Sequence, residues 1–378
     1  MKKNELILLV VFIILAILRA LSFIPISYVM IAFAFAYSVL NFRFTSQSAS
    51  FIILVLISVF FILLRQFSIL DLSGLWLSFY SFAIYFLLYS FSSVVADRID
   101  YYDFLRYFKA FLLILLIFDL FHPASSFFIS STKSTGLFLH GVHEFGRILL
   151  LYFFVDYLLN HAKIKFFKYC IFLTLLLLAK ARSELMSILI FGFIYYSNLL
   201  FFRHHFLSRL FVLLFVVILV IFTPAIITEL KTLFDDSVIS ESLKISSRFT
   251  DDSTSGRSWL WNYHLDLFNK SPVFGVGLES VSFAKGDVIN NVIAPAGSES
   301  GVTQFIAGFG LFIFFHSLPI IYWFNLSLRF SSLALISISL VPLIAFLSSF
   351  ANPVSYWSQL FFVFLVTSIV YYEKSFNN

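Results

Sequence analysis

Two arginines stand where an apolar phase gives way to a polar one. Arg182 lies in Ala179–Glu184, AKARSE, between two long apolar runs. A guanidinium there can hold an anionic group through two parallel hydrogen bonds, and phosphate is the geometry it fits best. An interfacial arginine that reaches toward water and pairs with Glu184 accounts for the same position. Arg257 lies in Ser255–Trp261, SGRSWLW, just ahead of an aromatic segment. Serine, glycine and a helix start place backbone donors beside the arginine, an arrangement suited to a pyrophosphate. An ordinary capping turn followed by an anchoring tryptophan pair, Trp259 and Trp261, explains the same residues. Together the two arginines suit a ligand with two phosphates.

A carboxylate and a polar cluster complete the candidate chemistry. Glu299, in Pro295–Gly301, PAGSESG, precedes an apolar run. Partly desolvated, it could take a proton from a hydroxyl as that hydroxyl attacks; as a plain helix-start acid it would be stabilised by exposed backbone donors. His143, Glu144 and Arg147 fall inside an apolar run, where ionisable groups are costly and face a polar interior or each other. Glu144 and Arg147 are three residues apart and can neutralise one another. His264 and Asp266 flank a membrane-facing stretch, and Asp235–Asp236 and Asp251–Asp252 read as solvated loop acids or a cation site. Pro272–Gly277, PVFGVG, has the wrong glycine spacing for a nucleotide fingerprint and reads as a turn folding tightly on the membrane face. The chain has no HExxH, paired CxxC, Walker loop or GxSxG, so a zinc protease, ATPase or serine hydrolase has no support. Lone Cys170 forms no intramolecular disulfide.

The elements that must position these groups are membrane spans. AVILMFWYC residues make up 61% of the 378 residues and DEKR only 12%, against about 45–50% and 25% in soluble proteins. Apolar runs follow one another from Leu6 to Tyr372, which excludes a soluble globular fold, a disordered chain and a coiled coil. Spans of about 17–25 residues fit at 5–22, 25–42, 49–67, 72–95, 104–121, 137–159, 166–180, 184–202, 208–228, 302–324, 330–349 and 355–372, an all-α polytopic membrane protein of about 12 helices. Met1–Ala20 resembles a signal peptide, but no Ala-x-Ala site separates it from the next run, so it reads as a retained span. More than half of the 25 basic residues fall on the inside when both termini are cytoplasmic, which sets that orientation. The net charge of +5 is scattered over loops as topology demands and implies no nucleic acid. Three regions follow: 1–228, about nine spans; 229–301, one large extracytoplasmic loop; and 302–378, about three spans. Within the loop, Trp259–Phe268, WLWNYHLDLF, has the spacing of an amphipathic helix resting at the interface.

In order and approximate spacing, Ala181-Arg182-Ser183, Gly256-Arg257, Trp261, Gly275-Val276-Gly277 and Phe305–Phe312 resemble the O-antigen polymerase and O-antigen ligase superfamily of bacterial polysaccharide assembly. The resemblance covers roughly 166–324; the first five spans match only in hydropathy. One departure stands out. Counting back from Gly310, Glu299-Ser300 occupy the place where the family usually carries His-Asn. That histidine is the group usually assigned to acceptor activation in the ligases, so its absence argues for a repeat-unit polymerase.

The resemblance implies a GT-C-like glycosyltransferase architecture in a bacterial cytoplasmic membrane. It also implies inverting, metal-independent glycosyl transfer at the outer face, with no cofactor. An undecaprenyl-pyrophosphate-linked glycan would be the donor and a hydroxyl of a lipid-linked repeat unit the acceptor, with membrane lipid and a chain-length regulator as further partners. Arg182 and Arg257 would stabilise the departing pyrophosphate and Glu299 would orient or deprotonate the acceptor. His143, Glu144, Arg147, Trp261, His264 and Ser300 would contact substrate. A ligase, a lipid-linked oligosaccharide flippase or other transporter, and a structural export component remain competing readings. A transporter should line a central cavity with its ionisable groups, whereas these gather at one face.

Overall fold

The structure, a computed structural model, describes residue 36 and residues 46–121, 144–178, 182–196, 263–281, 288–289, 292–293, 301–341 and 356–377. The expected spans at 5–22 and 208–228, and that at 25–42 apart from residue 36, lie outside the described residues.

Backbone amides cannot be left unpaired in hydrocarbon, so apolar segments of this length close their hydrogen bonds within themselves as helices. The first helices in the described chain are α1 (Ser46–Gln66), α2 (Leu72–Arg98), α3 (Tyr101–Phe121), α4 (Glu144–Leu159), α5 (Phe166–Leu178) and α6 (Arg182–Tyr196). The loop region contributes α7 (263–270), α8 (Leu278–Val281) and a two-residue antiparallel pair, β1 (Val288–Ile289) with β2 (Val292–Ile293). After it come α9 (Gly301–Phe309), a 3-10 turn at Gly310–Phe312, α10 (Ile313–Ser327), α11 (Ser331–Ser339) and α12 (Tyr356–Asn377). Among the described residues, three continuous helical stretches are long and apolar enough to cross a membrane: Ala49–Gln66, Leu72–Arg98 and Thr303–Ser327. They coincide with the expected spans at 49–67, 72–95 and 302–324.

Helices joined by short connections pack together, α5 along α6 and α1 along α2; α3 also lies along α4, α12 returns to α2, α10 to α1 and α11 to α6. Phenylalanine and tyrosine dominate the contacts. Phe153 meets Phe191 edge-on with ring centres 4.9 Å apart, and Phe51 sits 5.2 Å from Trp323. Buried serines add no unmet polar groups where they bond back to carbonyls one turn earlier, as Ser78 does to Gly74 at 2.9 Å and Ser339 to Leu335 at 2.7 Å. Tyr169 fixes α5 on α6 by donating its hydroxyl to the Ile188 carbonyl at 3.1 Å.

The ends of the bundle differ in chemistry. At the end carrying the C-terminus of α2, ion pairs tie helices together. Asp156 of α4 accepts Lys109 of α3 at 2.5 Å and also Lys168 of α5; Lys374 of α12 reaches Asp97 of α2; and Arg329 lies 3.6 Å from Glu373. Several basic residues that the sequence assigns to inside loops are thus paired across helices. At the opposite end lie the α1–α2 turn, the first residues of α6 and the loop elements. Asp156 is buried and its two lysines are partly exposed, so Asp156→Ala removes charge-assisted bonds but leaves lysines that can reach water. The expected loss is about 1.5–3 kcal/mol, read as a lower unfolding midpoint of the purified protein in detergent.

Candidate functional site

At the loop end, α1 finishes in Arg65-Gln66 and α2 begins after Asp71, the two joined by a short turn. Arg65 and Asp71 are both buried, with side chains 0% and 1% exposed, and pair at 3.0 Å. Each also reaches beyond the hairpin. Arg65 Nε donates to the Phe274 carbonyl and Nη2 to the Gly308 carbonyl, both at 2.6 Å, and its guanidinium carbon lies 4.8 Å from the centre of the Phe309 ring. Asp71 caps α2 by accepting the Gly74 amide at 2.9 Å on Oδ1, and takes the Leu278 amide at 3.1 Å on Oδ2. Gln66 closes the turn through paired 3.0 Å bonds with the Asp71 backbone.

What this pair holds is the PVFGVG turn. Gly275 and Gly277 adopt φ of 73° and 90°, left-handed conformations that favour glycine. The turn runs beside the end of α9: the Val276 amide donates to Ala307 O at 3.0 Å, the Gly277 amide to Gly308 O at 3.1 Å, and the Leu311 amide back to Pro272 O at 2.9 Å. A Cβ on Gly275 would sit 2.1 Å from the Gly308 carbonyl oxygen. The glycines therefore serve close backbone approach, as the sequence predicts, and the loop is fastened to the start of the membrane stretch Thr303–Ser327.

A second fastening comes from α7. Its inner face buries His264 and Leu267, the latter clustered with Val281 and Ala307, while Leu265 and Asp266 face outward. The expected amphipathic helix is present over 263–270, and its inner face packs on protein, against α9. His264 Nδ1 lies 2.9 Å from the Thr303 hydroxyl, and burial pushes the imidazole down to about 4. It is neutral at physiological pH and joins the loop helix to α9.

On α4 and α6, Arg147 Nε donates to Glu184 Oε1 at 3.3 Å; Glu184 is fully buried and Arg147 nearly so. The acid that the sequence offers to Arg182 receives Arg147, and this pair brings the first turns of α4 and α6 together at the loop end. Glu144 opens α4 and Arg182 opens α6. His143, Arg257, Trp261, Glu299 and Ser300 lie outside the described residues.

Sequence reasoning passed over Arg65, Asp71 and His316. Arg65 carried a usable signal, being an ionisable residue at the end of an apolar run. Asp71 showed only a helix-start acid, and its bonds to a turn some two hundred residues away have no local signature. His316 of α10 is buried with Nδ1 3.2 Å from the Ser78 hydroxyl and its ring stacked 5.0 Å from Phe309. Among the described residues no group of three or more His, Cys, Asp or Glu could hold a metal.

Residues 169–315 match the family model described as O-Antigen ligase. The similarity of this segment to the O-antigen ligase family supports the superfamily resemblance of the sequence motifs. The match begins in α5, passes Arg182, Arg257 and the PVFGVG turn, and ends in α10, under half of the chain. Arg65 and Asp71 lie outside it and clamp it. No curated protein matches the chain.

Two outcomes are expected. Arg65→Ala leaves Asp71 buried without its cation and should cost about 3–5 kcal/mol, detected as a lowered unfolding midpoint in detergent together with faster proteolysis within 263–281. Because the folded His264 titrates near 4 and an unfolded histidine near 6.5, the unfolded form binds more protons in between. The α7 seat should therefore weaken as pH falls from about 6.5 to about 4, seen as lower amide protection factors in 263–270 relative to the intrinsic exchange rate at each pH, and His264→Gln should flatten that dependence.

Proposed function

We propose that this protein transfers a glycan from a polyprenyl pyrophosphate at the outer face of a bacterial cytoplasmic membrane, and that the acceptor is a second lipid-linked repeat unit. The observation that carries the transfer reaction is the family match over residues 169–315, the stretch that contains Arg182, Arg257 and Glu299. Spans long enough to cross a membrane, with a loop bound tightly at one end, support chemistry at the lipid surface.

In this reading Arg182, opening α6, and Arg257, ahead of α7, bind the pyrophosphate and offset the charge that grows on it as its bond to the sugar C1 breaks. Glu299, ahead of α9, accepts the proton of the attacking hydroxyl. Attack from the side opposite the leaving group inverts the anomeric carbon. The segments preceding α7 and α9 are joined indirectly, because the His264–Thr303 contact connects those two helices. Arg147 and Glu184 support the start of α6, and the chemistry as drawn uses no metal or cofactor.

The acceptor divides two readings. Glu299-Ser300 in place of His-Asn supports polymerisation; the description of the matched family, O-Antigen ligase, supports transfer of a finished glycan to a non-repeat acceptor. The test is glycan length on gels from a strain lacking the gene, complemented with wild type, Arg182→Ala, Arg257→Ala or Glu299→Gln at equal membrane abundance. Polymerisation predicts single-repeat product when the gene is absent, long product with wild type, and a loss of at least about a hundredfold with either arginine variant. Full-length lipid-linked polymer accumulating unattached would establish the ligase reading instead. Unchanged polymer without either arginine would remove both.

A further inference from the structure

A cavity of about 810 Å³ opens at the bundle end opposite Asp71, between the first turns of α3 and the end of α4. Nothing in the glycosyl-transfer reading uses it. Its polar wall carries Asp100, Asp103, Arg106 and Lys109, and its apolar wall Leu113 and Leu159. We propose that this cavity is a binding site for a zwitterionic phospholipid whose headgroup ends in a primary ammonium.

Three observations support it. The first is the profile of α3. Tyr102, Arg106, Ala110, Leu113 and Ile117 are its most exposed residues at successive helical turns, so one face of the helix is open along its length. That face begins polar at Tyr102 and Arg106 and becomes wholly apolar by Leu113 and Ile117, the order in which a phospholipid presents headgroup and acyl chain to a membrane helix.

The second is the distribution of charge. Asp156 takes two lysines, Lys109 and Lys168, so that cluster carries one cation in excess beside the cavity. At the rim, Arg106 lies 3.5 Å from Asp103 and they balance, leaving Asp100 as an excess acid whose Oδ1 accepts the Tyr102 amide at 2.9 Å. The site is therefore dipolar and close to neutral overall. A wholly anionic headgroup would meet Asp100 and Asp103 unfavourably, whereas a phosphate toward Lys109 and an ammonium toward Asp100 match both poles. An ammonium with N–H groups can donate to a carboxylate; a trimethylated one cannot.

The third is that the walls are braced. Tyr102 Oη lies 3.0 Å from His161 Nδ1, and His161 and Ala162 follow α4 with φ of 53° and 57°, turning the chain back over the start of α3. Lys109 is held over the Tyr152 ring at 5.3 Å as well as by Asp156. The bracing keeps the lysine from reaching freely into water and fixes the positive pole.

The test uses the full-length purified protein, titrated in detergent with dioleoyl phospholipids bearing ethanolamine, choline or glycerol headgroups, with bound lipid counted by native mass spectrometry. The ethanolamine lipid should bind about tenfold more tightly than the other two, the value of one additional charge-assisted hydrogen bond. Asp100→Asn keeps an acceptor for the Tyr102 amide and should reduce that preference to the level of the choline lipid. Arg106→Ala, at a side chain 71% exposed and so tolerated by the fold, unbalances Asp103 and should weaken all phosphate headgroups while leaving the unfolding midpoint unchanged. Water-soluble phosphoethanolamine should fail to compete at equal concentration, because it lacks chains to lie on Leu113 and Ile117. Equal binding of ethanolamine and choline lipids, tighter binding of the glycerol lipid, indifference to both variants, or effective competition by phosphoethanolamine would each overturn the proposal.

Discussion

The seating of the PVFGVG turn on the membrane helices depends on one buried ion pair. Arg65 and Asp71 terminate two helices that face each other across a short turn, and both are removed from water. An isolated charge in such a place would be prohibitive; two charges are tolerable because they pair and because Arg65 Nε and Nη2 and both Asp71 oxygens are hydrogen-bonded. The carboxylate caps its own helix and takes a distant backbone amide, and the guanidinium takes two distant carbonyls. Those distant groups belong to the PVFGVG turn and the end of α9, so the hairpin cannot satisfy its charges without the loop. Loop and membrane helices are thereby made one object at this point.

That arrangement fixes residues 263–281 against the membrane helices. Gly275 and Gly308 approach so closely that a methyl group would collide with backbone. His264 and Thr303 add a second attachment on the far side of the turn. A transferase acting on a lipid-linked donor needs its phosphate-binding groups at a constant height above the hydrocarbon, since small misplacements are expensive in rate. Two rigid attachments flanking the segments that carry Arg257 and Glu299 meet that need under the proposed reading.

The opposite end of the bundle is organised by a different principle. There the ion pairs are partly exposed and cross between helices, with Asp156 shared by two lysines. Charges beyond those needed for pairing remain near the surface, where solvent and lipid headgroups can meet them. The cavity beside α3 lies at this end, along the helix's exposed face.

The sequence by itself determined the class of the molecule. Long apolar runs with few charges admit only self-bonded helices in a membrane, and the expected spans at 49–67, 72–95 and 302–324 are helices at those places. The glycine turn and the helix within WLWNYHLDLF were legible for the same reason: local conformation and periodicity are properties of short segments. The sequence also singled out Arg147 and His264, but their partners were decided by tertiary structure. Arg147 had Glu144 three residues away as its local candidate and reaches Glu184 on another helix; His264 looked toward substrate and is buried against Thr303. Arg65 and Asp71 were the least legible, because a buried charge is defined by what surrounds it. Its surroundings come from residues 274, 278 and 308, far along the chain, and only folding brings such groups within hydrogen-bonding distance.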